Sequence, residues 1–199
     1  MKSTLLPLLL FLFSFQAKIW PVQFYACKNE RENDFNKECI LCTTPEKDTA
    51  TIVYTKNWRL TLWVNQAYLG RMLLIANRHF GTFEEMNEEE LQEFQEIMRT
   101  LLPVVKETFQ VTHFNVCYLM NQAYRPINPD PPQKEGHPNP HFHWHIIPRY
   151  DGPRTFCKEV FTDPDFGNAF NFSRKQIPSQ EVLKQAIDSI RKKLNVESS

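Results

Sequence analysis

Between residues 51 and 76 short apolar runs alternate with polar breaks. Thr51 to Tyr54, Arg59 to Val64 and Arg71 to Ala76 are rich in β-branched, aromatic and aliphatic residues, and Lys56-Asn57 and Gln66-Ala67-Tyr68-Leu69-Gly70 separate them. Runs of this length predict three strands of an antiparallel meander. The period then changes. Leu91, Phe94, Met98, Leu101, Val105 and Phe109 recur at three- and four-residue spacing and predict a core-facing helix. Its start is written in Asn87-Glu-Glu-Glu90, with Asn87 as N-cap, Glu90 placed to reach back, and acidic side chains at the positive helix end. Pro103 removes one helical hydrogen bond and crowds the preceding turn, so a kink or break is expected there. His113 to Met120 predicts a fourth strand, and a histidine-rich run after residue 140 a fifth. Ser179 caps a last helix with Val182, Leu183, Ala186, Ile187, Ile190 and Leu194 on one face and Arg191, Lys192 and Lys193 near its negative end. The fold class is therefore α+β, a five-stranded antiparallel sheet with a long helix and a C-terminal helix.

Other stretches carry no period. Leu5 to Phe15 forms an apolar run after Lys2, shaped like a signal-peptide core and too short for a confident membrane span. A cut after Ala17 would put Phe15 where a small residue is expected, so export competes with a retained leader, and a cytoplasmic location is favoured. Residues 28–38 are polar linker. Residues 123–140 contain six prolines and form an unusually long loop, a feature that commonly marks function or disorder. Phe156, Phe161, Phe166, Phe170 and Phe172 follow without periodicity, and their need for burial predicts a segment wrapped on the domain surface. The organisation expected is a leader and linker over residues 1–30, one domain over 31–150, and a C-terminal wrap and helix over 151–199.

Lysine plus arginine balances aspartate plus glutamate at 23 each, so no global field favours nucleic acid or an acidic membrane. A charged ligand must be met locally. The five cysteines leave one unpaired however disulfides are drawn, which favours reduced thiols or a metal over a secreted disulfide framework.

Candidate chemistry is concentrated in His137-Pro-Asn-Pro-His141-Phe-His143-Trp-His145-Ile-Ile, which holds four of the six histidines. On a strand, His141, His143 and His145 share one face and Phe142, Trp144 and Ile146 the other, so the run reads as a half-buried strand with a working face. Same-face neighbours on an extended strand stand about 6.6–6.8 Å apart, close enough for two imidazoles to meet one phosphate or its leaving group. Cys39-Ile-Leu-Cys42 offers two thiols at the spacing of a zinc half-site, a redox pair, or two incidental cysteines. His79, after the third strand, becomes a third metal ligand only if the fold brings it beside them.

His141-Phe-His143-Trp-His145-Ile-Ile, followed by Pro148-Arg149, resembles the signature of the histidine-triad (HIT) family, in which three histidines alternate with apolar residues. The resemblance extends over roughly residues 39–150. It implies a HIT-like nucleotide-binding domain, a homodimer, and cleavage at the α-phosphate of a dinucleoside polyphosphate such as a diadenosine polyphosphate, or of a nucleoside phosphoramidate. It further implies His143 as nucleophile forming a nucleotidyl-histidine intermediate, and His145 on the phosphate or leaving-group side. In zinc-bearing members the first triad histidine joins the metal, which here gives Cys39, Cys42, His79 and His141 around a structural zinc. Asn121 matches an asparagine near the phosphate, Asn115 matches a common position one strand-length earlier or is a turn or structural residue, and Asn65 is the nearest polar candidate for the ribose. Two departures stand out. His137 and Pro138 occupy positions where many members supply phosphate donors, and Pro138 has no N–H to give. Asn139-Pro140-His141-Phe142-His143 is similar to the Asn-Pro-His-x-His of galactose-phosphate uridylyltransferases and related phosphorylases, which makes Asn139 a further phosphate-binding candidate. A nucleotidyltransferase or phosphorylase is therefore the alternative enzyme, and a nucleotide-binding module without turnover the alternative outside catalysis.

Overall fold

The computed structural model describes residues 22–26, 36–37, 39–43, 50–121 and 139–196. The leader, most of the 28–38 linker and of the proline loop, including His137 and Pro138, lie outside them. No described helix is long and apolar enough to cross a membrane.

Five strands, β1 (Thr51–Tyr54), β2 (Trp58–Leu62), β3 (Met72–Ala76), β4 (His113–Tyr118) and β5 (His143–Arg149), form one antiparallel sheet in the order β1-β2-β3-β5-β4. A single turn of helix α1 (Ile40–Thr43) carries the CxxC thiols. The long helix α2 spans Glu88–Phe109 and the last helix α3 spans Gln180–Lys193. The Asn87 side chain accepts from Glu90 N–H at 2.9 Å while Glu90 Oε2 accepts from Asn87 N–H at 2.8 Å, so the expected capping box is complete. Glu90 is buried, and Arg78 meets both its carboxylate oxygens at 2.9 Å.

Sheet and helices bury one face. Trp58, Leu60, Leu62, Met72, Leu74, Phe142 and Ile146 pack with Ile97, Leu101, Val105 and Phe109 of α2 and Val182, Ala186, Ile187 and Ile190 of α3. The phase of α2 differs slightly from expectation: Ile97 is fully buried and Leu91 is 45% exposed, because the first turn is anchored by buried Glu90 instead of by an apolar contact. Pro103 does not end the helix. Both Pro103 and the residue whose carbonyl it leaves unpaired, Arg99, are exposed, so water can take the missing bond.

The opposite face carries the histidines. Directly opposed residues in an antiparallel pair share a face, so His143 with Ile75 and His145 with Leu73 and Cys117 stand on the side away from the helices. This face is not half-solvated. β5 is interior to the sheet, and His143 and His145 are 4% and 3% exposed. The cover comes from the 65–70 turn and from the segment after Tyr150, which first forms a hairpin of β6 (Arg154–Phe156) and β7 (Glu159–Phe161) and then crosses the sheet. The hairpin has no counterpart in the sequence pattern.

Arg149 ties this crossing segment down. Its guanidinium donates to Asp163 at 2.6 and 3.2 Å, to Asn115 Oδ1 at 2.7 Å, to Asp165 O at 2.6 Å and to Asn168 O at 2.9 Å. Tyr68 hydroxyl donates to Asp165 at 2.9 Å and accepts from Asn171 N–H at 2.6 Å, while Asn65 donates to Arg174 O and accepts from Gln176 N–H. Gly70 makes the adjoining turn possible: its φ is +79°, and a Cβ there would lie 2.7 Å from the Phe109 ring.

Candidate active site and metal site

The two chemical clusters begin at the same strand. β3 ends at Ala76 and delivers His79; β5 begins at His143, with His141 on the approach. Ala76 N–H donates to Phe142 O at 3.1 Å and Phe142 N–H to Phe80 O at 2.7 Å, which fixes the approach against the end of β3. The stacked Phe80 and Phe142 rings, 5.0 Å apart, pin it from the helix side.

His141 and His79 turn their Nδ1 atoms toward each other at 3.2 Å, and the CxxC turn brings both sulfurs to them. Cys39 Sγ and Cys42 Sγ are each 3.4 Å from His141 Nδ1, and Cys42 Sγ is 3.4 Å from His79 Nδ1. All four donor atoms lie within 4.8 Å of one another. A tetrahedron with zinc-like bonds of about 2.0–2.1 Å to nitrogen and 2.3 Å to sulfur has edges of about 3.3–3.8 Å, which these separations match. The second nitrogen of His141 contacts Ala76 O at 2.8 Å. A carbonyl oxygen only accepts, so the proton sits on Nε2 and the Nδ1 lone pair is left to face the sulfurs. The Cys42 thiol above all, and then the two imidazoles, pull the Cys39 thiol far below its ordinary range against the effect of burial. Thiolate and bare imidazole nitrogen packed this closely could hold a four-coordinate metal ion.

His143 has the reverse arrangement. Its Nδ1 contacts His141 O at 2.7 Å and must donate to it, so Nε2 carries the lone pair. Asn121, at the turn after β4, places Oδ1 3.0 Å from His143 Nε2 and 3.1 Å from His145 Nε2. The two rings stand 5.0 Å apart. Burial lowers the pKa of His143 below the ordinary imidazole range, and the same cause, with the neighbouring His143 and Arg71, lowers that of His145 to about 3. Both rings are therefore neutral near pH 7. His145 Nδ1 is buried without a hydrogen-bond partner. An unmet acceptor is better tolerated than an unmet N–H, so His145 holds its proton on Nε2, where Asn121 accepts it.

The structure brings Asn121 to the histidine pair and draws the other asparagines elsewhere. Asn115 accepts from Arg149, and Asn65 holds the Arg174–Gln176 turn. Asn139 Oδ1 accepts from Asn36 at 3.1 Å, and Asn36 lies 3.3 Å from His79 Nε2, so this pair braces the metal side. Sequence reasoning passed over Arg71 and Phe172. The Phe172 ring stands edge-on to His145 at 5.8 Å, and the Arg71 guanidinium lies 5.0 Å from the same ring. Strand alternation was the available signal for Arg71, which precedes Leu73 by two residues and so shares the face of His145.

Comparison with known proteins agrees with this geometry. The HIT domain family matches residues 44–152. An uncharacterized HIT-like protein of Methanocaldococcus jannaschii is 28% identical over 149 residues, covering 74% of this chain and 97% of that protein. Among solved structures, a zinc-bound histidine triad family protein from Mycobacterium smegmatis superposes with a TM-score of 0.51 at 14% identity, over 79% of this chain and 94% of its own. A uridylyltransferase gives 0.54 at 16% identity, over 79% of this chain but 45% of the larger enzyme. With more than half of its length matched by that family and its sheet carrying the paired histidines on an interior strand, the protein belongs to the HIT domain family.

Proposed function

We propose that the protein is a nucleotide hydrolase that cleaves at the α-phosphate of a dinucleoside polyphosphate or nucleoside phosphoramidate through a nucleotidyl-His143 intermediate. The observation that carries this reading is the 2.7 Å contact from His143 Nδ1 to His141 O, which leaves the Nε2 lone pair on the side of Asn121 and His145. A neutral imidazole attacks phosphorus with no hydroxyl to deprotonate, and burial favours that neutral form. The P–N bond forms as the bond to the leaving group breaks, and water then releases the nucleotide. Asn121 Oδ1 lies against Nε2 here, so substrate entry displaces it, and the amide Nδ2–H of Asn121 is the group able to donate to a phosphoryl oxygen. His145, held neutral with its proton on Nε2, donates on the leaving-group side.

Cys39, Cys42, His79 and His141 hold a structural zinc in this reading, supported by the donor set and its spacing and by the zinc-bound Mycobacterium smegmatis neighbour. Four protein ligands would leave no position for water, so an ion held by them would tie α1 to the foot of the β5 strand and supply structure and not chemistry. A homodimer is the expected assembly.

A transferase or phosphorylase reading rests on Asn139-Pro140-His141-Phe142-His143 and on the fold likeness to the uridylyltransferase. Products from dinucleoside polyphosphates and adenosine phosphoramidate, with and without added phosphate, separate the two. Nucleoside monophosphate in both conditions supports hydrolysis, and phosphate-dependent nucleoside diphosphate supports the alternative. Nucleotide binding with no turnover by the wild type would overturn both.

A further inference from the structure

On the histidine face, His143 opposes Ile75 and His145 opposes Leu73, and the next residue of that row is Arg71. Trp63 N–H donates to Arg71 O at 3.0 Å, which extends the β2–β3 pairing and sets the Trp63 and Arg71 side chains side by side. The guanidinium lies 5.8 Å from the Trp63 ring and 5.0 Å from the Phe172 ring. Arg71 is 4% exposed, its Nε is buried without a partner, and among the described residues none accepts a hydrogen bond from its side chain. The carboxylates of the crossing segment are already engaged: Asp163 with Arg149, and Asp165 with Arg174 and Tyr68. Burial pulls the Arg71 pKa down, and among the described residues nothing fully offsets that desolvation. Two aromatic faces compensate only in part. A guanidinium is suited to binding phosphate with paired N–H donors, and Arg71 is one step beyond His145 along the line that begins at the nucleophile.

We propose that Arg71, held between Trp63 and Phe172 beside His145, forms a second anion subsite that takes a phosphate beyond the scissile one. The inference rests on the nucleotidyl-His143 reading and narrows it: the leaving group is itself a phosphate, as in a dinucleoside polyphosphate, and not an amine. As His143 Nε2 bonds to the α-phosphorus, the P–O bond to the remaining phosphate chain breaks and the departing oxygen keeps the electron pair. Negative charge builds on that phosphate as the bond breaks, before His145 yields its proton, and Arg71 meets it. The crossing segment has a role in this site, since Phe172 closes it from above and the Tyr68, Asn65 and Arg149 contacts hold Phe172 in place.

The test compares wild-type and Arg71→Met full-length protein on diadenosine triphosphate and on adenosine phosphoramidate; Met fills the slot between the rings without charge. The subsite predicts a drop of about 100-fold in kcat/KM for the polyphosphate and less than about threefold for the phosphoramidate, with Arg71→Lys recovering part of the loss. Equal losses on both substrates, or none on either, overturn it. Titration of inorganic pyrophosphate needs no turnover and separates this proposal from the proposed reaction. Binding at least about 10-fold weaker in Arg71→Met supports the subsite even if the wild type hydrolyses neither compound, and equal binding overturns it.

Discussion

His141 and His143 are two residues apart, both buried, and each has one ring nitrogen held by a backbone carbonyl, yet the nitrogens held are opposite ones. Ala76 O takes Nε2–H of His141 and leaves Nδ1 to face two sulfurs. His141 O takes Nδ1–H of His143 and leaves Nε2 to face Asn121 and His145. Which carbonyl lies beside the ring decides which nitrogen is left to act, toward the thiols for His141 and toward the proposed phosphate site for His143. The surroundings reinforce the division: thiols around His141 favour a bound cation, and burial around His143 favours the uncharged ring.

The largest expected effect breaks the catalytic half alone. His143→Ala should lower turnover by at least about 10³-fold while circular dichroism and zinc content stay at wild-type values, because the proposed nucleophile is lost and the four proposed ligands remain. Loss of zinc in that variant would show that the two clusters are not separable. Removing the brace over the histidine face comes next. Asp163→Ala leaves the buried Arg149 guanidinium without its carboxylate and should destabilise the fold by about 3–5 kcal/mol in urea unfolding. A loss below about 1 kcal/mol would mean that the strap is not held there.

Breaking the metal half is expected to act on stability first. Cys39→Ser should reduce zinc from about one equivalent per chain to near none and lower the melting temperature by roughly 10 °C. Full metal content in that variant would exclude Cys39 as a ligand.

The smallest effect sharpens the electrostatic contrast. His145 is pushed down to about 3 in the folded chain against an ordinary value of 6.5, so the unfolded chain binds the extra proton between those limits. This group's contribution to stability is present above pH 6.5 and is lost as pH falls from there toward 3. Urea midpoints at pH 7.5 and 5 should therefore differ less in His145→Gln than in the wild type; an unchanged difference would place the acid sensitivity elsewhere.

Much of this was legible because it is local. Alternation marked the strands, the Asn87–Glu90 pair marked the start of α2, and x2 thiol spacing with a trailing His79 marked candidates for one cluster. What was not legible depends on distant contacts. Phe161, Phe170 and Phe172 have no period, since each is placed by a different partner: the core, the Ile147 side of the sheet, and the His145 ring. The half-buried strand expected for the histidines became a buried one because that segment covers it. Asn139 adjoins the motif in sequence and Asn115 lies on the strand paired with it, but they are drawn to Asn36 and Arg149, and no spacing rule reveals such competition.

The central claim is that His143 reacts through Nε2 while its Nδ1 stays bonded to the His141 carbonyl. Rapid acid-free quenching of turnover with a labelled dinucleoside polyphosphate, followed by peptide mapping and phosphorus NMR of the adduct, tests it directly. The account predicts a nucleotidyl group on His143, attached at Nε2 and absent from His143→Ala. A label on His145, attachment at Nδ1, or steady turnover in His143→Ala would contradict it.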